Sequence, residues 1–268
     1  MSNNLTGDVL VRNNVRIIGT GTRTLLFAHG FGCDQNTWRA IIPAFQENYQ
    51  IILFDYVGAG SSDLSAYDRN RYNSLEGYAQ DIVDICGQLH LSEITFIGHS
   101  VSSMIGLLAL KLQPSIFEKI VFIGPSPRYI NEPGYHGGID QADLEELLEV
   151  MDSNYLGWSQ MVAPSIMGNA DQPQLAEGLV KSFCSTDPAI AKEFARVTFL
   201  SDNREDLQHL RIPSLTIQCN DDFLTSYVVA EYINEHTVNN QIIMLESSGH
   251  CPHLSDPDGV IKAIKTFI

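Results

Sequence analysis

The sequence predicts an α/β protein: a mostly parallel sheet of eight strands covered by helices on both faces, with a wholly helical block inserted after strand 6. Three observations carry this. Short, continuous apolar runs bounded by Gly, Asp or Ser recur along the 268 residues. Helical patterns lie between several of them, and from Ser126 to about Glu205 no strand pattern appears at all. Strands that are apolar on both faces need helices on both faces, which is the arrangement parallel sheets require.

The elements follow in order. "DVLVRNNVRII" reads as a hairpin turning at Asn13-Asn14, residues that tolerate the positive φ of a tight turn. "TLLFAHG", "IILFDYVG", "ITFIGHS", "KIVFIGPS", "PSLTIQCNDD" and "QIIMLESSGH" supply six more strands. "SLEGYAQDIVDICGQL" places apolar residues at helical spacing between two of them. The strandless interval carries four further helical patterns: "QADLEELLEVMDSNY", "GWSQMVAPSIMG", "QLAEGLVKSFC" and "PAIAKEFARVTFL". Structureless connections of that length are rare in compact domains, so 126–205 is expected to be a helical cap. Residues 1–125 and 206–268 then form one core; Pro125 and Pro127 mark the entry to the cap, and "REDLQHLRIP" marks the return to the core.

Bulk properties exclude several classes of function. A net charge of −16 repels nucleic acid and anionic membrane surfaces. No apolar run approaches the ~20 residues of a membrane span. The start, "MSNNLTGDVL", has no apolar leader segment, and the five cysteines show no CxxC spacing. Reduced thiols in a cytoplasm are the expectation.

Sites in open α/β sheets gather at the carboxyl ends of the strands, so the polar residues there are the ones to weigh. "GHSVS" places Ser100 between a strand and a helix, with small neighbours Gly98 and Ser102. That junction forces a tight turn with the hydroxyl at its apex, the pattern of a nucleophile elbow, although a second glycine is more usual where Ser102 stands. The helix that opens there aims the Val101 N–H at charge developing beside Ser100, and "HGFG" offers the Phe31 N–H as a second oxyanion donor. A serine needs a base. Of eight histidines, His250 follows the last strand, and "CNDD" after the preceding strand gives Asp222, or its neighbour Asp221, to orient it.

Other residues carry competing readings. His99 is a pocket wall or a structural side chain, and Trp158, Met161 and Phe194 either line a substrate pocket or pack the cap onto the core. His250 and His253 suggest a metal pair, but Pro252 breaks their shared face and no further ligands cluster, so no metal is expected. Asp55 reads as a loop-tying carboxylate, and Cys33 and Cys251 as inert packing.

With these residues assembled, the chain resembles the α/β-hydrolase family. Within it, the likeness is to the group holding the bacterial stress-response regulator RsbQ and the plant strigolactone and karrikin receptor hydrolases. It rests on "FAHGFGCDQNTW", "ILFDYVGAGSSDLSAYDRNRY", "GPSPRYIN", "FCSTDPAIAKEFA", "FLSDNREDL" and "GHCPHLSDPD", and "GHSVSSMIG" is similar to the plant elbow, serine at the second small position included. The resemblance implies Ser100, His250 and Asp222 as a catalytic triad, Asp222 being preferred by register after "IQC". It also implies Phe31 and Val101 as oxyanion donors and a four-helix cap over an apolar pocket, with Trp158 matching a shared tryptophan. It further implies no cofactor, a small apolar ester or lactone as ligand, and a regulatory partner, a phosphatase in the case of RsbQ. Rival roles are ligand sensing with incidental turnover and carbon–carbon bond hydrolysis on the same fold. Dehalogenase and epoxide-hydrolase chemistry is disfavoured, because it needs Asp where this chain has Ser100.

Overall fold

The computed structural model of the chain describes residues 8–268; most of the polar start noted above, residues 1–7, lies outside them. Among the described residues the sheet has seven strands. They are β1 (Arg16–Ile18), β2 (Arg23–Ala28), β3 (Tyr49–Leu53), β4 (Ile94–His99), β5 (Phe117–Ile123), β6 (Ser214–Asp221) and β7 (Asn240–Ser248). Their order is β1-β3-β2-β4-β5-β6-β7, and only the edge strand β1 runs antiparallel to its neighbour.

The eighth expected strand is a single helical turn, α1 (Val9–Arg12). Side-chain hydrogen bonds explain the correction. Asp8 accepts from the Leu10 N–H and caps the turn, while the buried Asn13 amide donates to the Asp55 carbonyl and to Asp81. These local bonds compete with strand pairing, as short polar side chains characteristically do. Asn14 does take the positive φ (45°) foreseen for it, but at the end of a helix rather than in a hairpin.

Helices α2 (Leu75–Gln88), α3 (Val101–Leu112), α8 (Tyr227–Glu235), α9 (Pro252–Ser255) and α10 (Pro257–Phe267) pack on the sheet. Between β5 and β6 lie α4 (Gln141–Ser153), α5 (Tyr155–Met167), α6 (Pro173–Ser185) and α7 (Pro188–Phe199). With one strand fewer at the start, this helical insertion follows the fifth strand, not the sixth. Its boundaries obey ordinary capping: Asp187 accepts from the Ala189 and Ile190 N–H groups, Pro188 opens α7, and Gly168 closes α5 in the left-handed conformation.

Two apolar clusters fill the core, one on each face of the sheet, and a third joins the four inserted helices to the strand ends below. Phe31 packs against both the third cluster and the cluster on the α2–α3 face, so it sits at the seam between core and insertion.

One ion cluster pins the chain start to α2. Asp81, fully buried, accepts from Arg12 at 3.0 Å and Arg71 at 2.6 Å, from the Tyr72 hydroxyl and from Asn13. Burial pushes its carboxyl pKa up even against the two guanidiniums, so the contacts do not fully offset the loss of water. Asp81→Asn leaves both arginines short of a partner and is expected to cost about 3 kcal/mol, read as a lowered midpoint in urea with unchanged slope.

Candidate active site

β4 runs straight into α3, and Ser100 is the residue between them, at φ 56° and ψ −124°. A side chain with that backbone is strained by ~1–3 kcal/mol and persists only if its surroundings enforce it. They do. The Ser100 N–H donates to the Ile123 carbonyl at 2.8 Å, and its own carbonyl accepts from the Ser103 N–H at 2.9 Å. Gly98 is required because a Cβ there would lie 2.7 Å from both the Phe96 ring and the Ser102 carbonyl oxygen.

Ser102 is more than small. Its hydroxyl donates to the His29 carbonyl and meets the Tyr56 hydroxyl at 2.8 Å. It thereby ties the elbow to the loop after β2 and to the loop after β3, which glycine at this position would not do.

The structure brings Ser100, His250 and Asp222 into one hydrogen-bonded line. The Ser100 hydroxyl lies 2.7 Å from His250 Nε2, and His250 Nδ1 lies 2.9 Å from Asp222 Oδ2. The arrangement fits Nδ1–H donating to the carboxylate and Nε2 accepting from the serine. Between the two aspartates left open by the sequence, Asp222 is the one in contact. Asp221 continues β6, pairs with Ser248 and faces outward.

Burial opposes charge on Asp222. His250, the Leu224 N–H and the Thr225 hydroxyl outweigh it and hold the pKa down at about 2. Gln218, which also bonds Asp222, completes a cradle that keeps this carboxylate ionised. Neither Thr225 nor Gln218 stood out in the sequence, because nothing in their spacing distinguishes them from ordinary strand and turn residues.

Val101 follows Ser100 directly, and the loop carrying Phe31 approaches the serine at Gly30. Val101 is the first residue of α3, and the Gly30–Phe31 backbone lies so close that a Cβ on Gly30 would sit 3.3 Å from Ser100 Cβ. Trp158 and Phe194 both pack edge-on against Phe31, at ring-centroid distances of 6.2 and 5.8 Å. Phe183 and Phe199 complete an aromatic wall around it.

Met161 does not join the wall. The buried side of α5 is centred on Val162 and Ile166, and at ~3.6 residues per turn Met161 falls on the opposite side, 54 % exposed. His99 lies behind the site instead of lining it, with its Nε2 2.8 Å from the His250 carbonyl oxygen.

Tyr129 was missed. It follows β5, a position where strand-end residues merit attention, and it is buried beside Ser100. Burial pushes its phenol up to about 12, against the lowering influence of the Ser100 hydroxyl. His253 bonds the Thr37 hydroxyl at 2.8 Å. Asp55 ties loops together, accepting from the Gln35 and Ser61 N–H groups and from the Asn14 amide. Burial pushes the thiols of Cys33 and Cys251 up, Cys33 to about 12, which keeps both protonated and poorly nucleophilic.

This fold and this elbow define a hydrolase, and the comparisons agree. Residues 25–263 match the model of the alpha/beta hydrolase family, so the chain belongs to that family. A karrikin insensitive 2 receptor of Petunia hybrida is 36 % identical over 98 % of this chain and 97 % of its own length. A strigolactone esterase of Arabidopsis thaliana is 38 % identical over 93 % of this chain and 94 % of its own. Among solved structures, a hydrolase from Oleispira antarctica superposes with a TM-score of 0.95 at 43 % identity, covering 97 % of this chain and 96 % of that one. The chain is accordingly an enzyme of the α/β-hydrolase type. Among the described residues, no helix is long and apolar enough to cross a membrane.

Two outcomes are expected. Ser102→Gly removes two hydrogen bonds to buried groups and adds a glycine inside α3, which is expected to destabilise the fold by about 2 kcal/mol in urea denaturation. His99 is held at a pKa of about 3, chiefly by burial and then by the neighbouring His250. Its folded-state pKa is therefore below the unfolded value, so the neutral form contributes stability above pH ~6.5 that is lost as pH falls toward 3. At pH 5 the loss from this residue is about 2 kcal/mol, and His99→Gln should reduce the fall in stability between pH 7 and 5 by that amount.

Proposed function

We propose that the protein is a serine hydrolase acting on a small, largely apolar ester or lactone, and that residues 126–205 form a cap over its site while 1–125 and 206–268 form the catalytic core. The observation that carries this reading is the unbroken line from the Ser100 hydroxyl through His250 to the ionised Asp222. Ser100 Oγ attacks the carbonyl carbon, and its proton passes to His250 Nε2. Asp222, ionised and fixed by Thr225 and Leu224, holds the imidazole in the required tautomer and stabilises the imidazolium. The Phe31 and Val101 N–H groups receive the oxyanion, each contributing about 3 kcal/mol to the transition state in comparable chemistry. His250 then returns the proton to the leaving oxygen, and water, deprotonated by the same histidine, releases the acyl group from Ser100.

The surroundings favour an oxygen-bearing apolar substrate. Phe31, Trp158, Phe183, Phe194 and Phe199 supply the apolar wall. Trp158 Nε1 is buried within it without a partner, and an acceptor oxygen beyond the reacting carbonyl would satisfy it.

The test is hydrolysis of p-nitrophenyl acetate and labelling by a p-nitrophenyl phosphonate. Ser100→Ala is expected to abolish labelling. Asp222→Asn is expected to lower kcat about 10⁴-fold, with the fold retained. Turnover and labelling at wild-type levels in Ser100→Ala would overturn the reading.

The relatives named as karrikin insensitive 2 receptors, which match nearly the whole chain, favour a second role on the same site: sensing a small ligand such as a lactone, with turnover slow. Its finer form is RsbQ-like stress signalling in the cytoplasm through a phosphatase partner. Slow turnover of the bound lactone, with binding retained in Ser100→Ala and ligand-dependent capture of a phosphatase, supports that role. Rapid turnover without any partner supports a metabolic hydrolase.

A further inference from the structure

The hydrolase reading leaves open what aligns His250, a residue on a loop, with a serine on a rigid elbow. The His250 peptide is anchored at both ends. Its N–H donates to the Ile166 carbonyl near the end of α5, at 2.7 Å. Its carbonyl accepts from His99 Nε2 at 2.8 Å. His99 directly precedes Ser100, so the serine and the imidazole are connected twice. One connection is their own hydrogen bond; the other runs from the peptide of the base to the residue before the nucleophile. Resting on that reading, we propose that His99 is the positioning residue of the reaction, setting the distance and angle between Ser100 Oγ and His250 Nε2 through the His250 carbonyl.

The geometry around His99 restricts it to that task. Its ring is buried, 4.3 Å from the His253 ring and 5.1 Å from the His250 ring, centroid to centroid. His253 is itself fixed by the Thr37 hydroxyl and by packing on Trp38. On the other edge, His99 Nδ1 lies against Gly30, where a Cβ would come within 2.5 Å of it. A ring held on both sides has one orientation, and its single hydrogen bond therefore has one direction. Without that bond the His250 backbone is held only from its N-terminal side, by the Ile166 bond and the Gly249 N–H bond to the Asp221 carbonyl, and its carbonyl side pivots about them. Reacting groups misplaced by ~1 Å lose on the order of 100-fold in rate.

The test compares three variants of the full chain with p-nitrophenyl acetate, well below each variant's melting temperature. His99→Gln keeps an N–H donor at about the reach of Nε2. His99→Asn keeps the polarity but falls short, and His99→Leu keeps the volume without a donor. The expected result is a 10- to 100-fold fall in kcat, with KM within about twofold, for Asn and Leu, and recovery to within about fivefold of wild type for Gln. The downfield proton resonance of the His250 Nδ1–H bond should persist in Gln and be lost or shifted in the other two. If one of Asn and Leu does not fold, the other carries the comparison. A wild-type kcat in a folded Asn or Leu variant would overturn the proposal, and so would an equal fall in all folded variants, which would make the ring's packing responsible. Ser100→Ala serves as control: if it hydrolyses the ester at the wild-type rate, the hydrolase reading fails and the proposal falls with it, for a separately visible reason.

Discussion

Everything at the candidate site depends on one strained backbone conformation. Ser100 stands at φ 56° between a strand and a helix, and a residue there has few ways to be held. The sheet supplies one, the bond from the Ser100 N–H to the Ile123 carbonyl of the neighbouring strand. Side-chain chemistry supplies the other. Ser102 spends its hydroxyl on the His29 carbonyl and the Tyr56 hydroxyl, so the elbow is tied to two adjoining strand-end loops. The strain is small compared with the burial of β4 and α3, whose residues are almost all inaccessible. A locally unfavourable turn therefore survives because it lies between two elements that are strongly favoured.

The loops around the site are organised by the same device, polar side chains that satisfy backbone groups of distant segments. Asp55 holds Gln35 and Ser61, and the Asn169 amide donates to the Ser248 carbonyl at 2.9 Å. Loop backbone at strand ends cannot pair as strand or helix, and buried polar groups left unpaired are costly. Satisfying them with side chains fixes the loops without covering the site with regular structure. Four charged groups, Arg12, Arg71, Asp81 and Asp84, do similar work at the chain start.

The sequence was legible where periodicity or steric necessity speaks. Continuous apolar runs located β2 to β7, and the interval without them located α4 to α7. The elbow was legible because only small residues fit at Gly98 and Ser102. It was not legible at "DVLVR", where strand-like composition lost to an Asp8 cap and to arginine bonds with Asp81 and Asp84. Those partners lie far along the chain, and no local pattern announces them. Met161 failed for a related reason. Spacing says which residues share a helix face, but not which face the rest of the protein covers. Tyr129, Gln218 and Thr225 acquire their importance only from neighbours that are remote in sequence.

The insertion and the base loop meet through backbone, which bears on how recognition and chemistry are divided. Gly168 closes α5 at φ 63° and Gly249 precedes His250 at φ 91°. A Cβ on either would overlap the other segment: from Gly168 it would reach within 2.8 Å of the Gly249 nitrogen, and from Gly249 within 1.9 Å of the Met167 carbonyl oxygen. Two glycines thus allow the last turn of α5 to lie directly on the base loop, close enough for Ile166 to accept from the His250 N–H. The same helix carries Trp158 into the aromatic wall around Phe31. One rigid element therefore bears on both the walls that would contact a ligand and the imidazole that would act on it. A ligand that displaced α5 would bear on His250 through that contact, because close-packed backbone leaves little slack to absorb the difference. In such an architecture the fit of a ligand and the alignment of the catalytic groups are not independent properties. The same coupling would serve an enzyme as selectivity and a sensor as the first step of a signal.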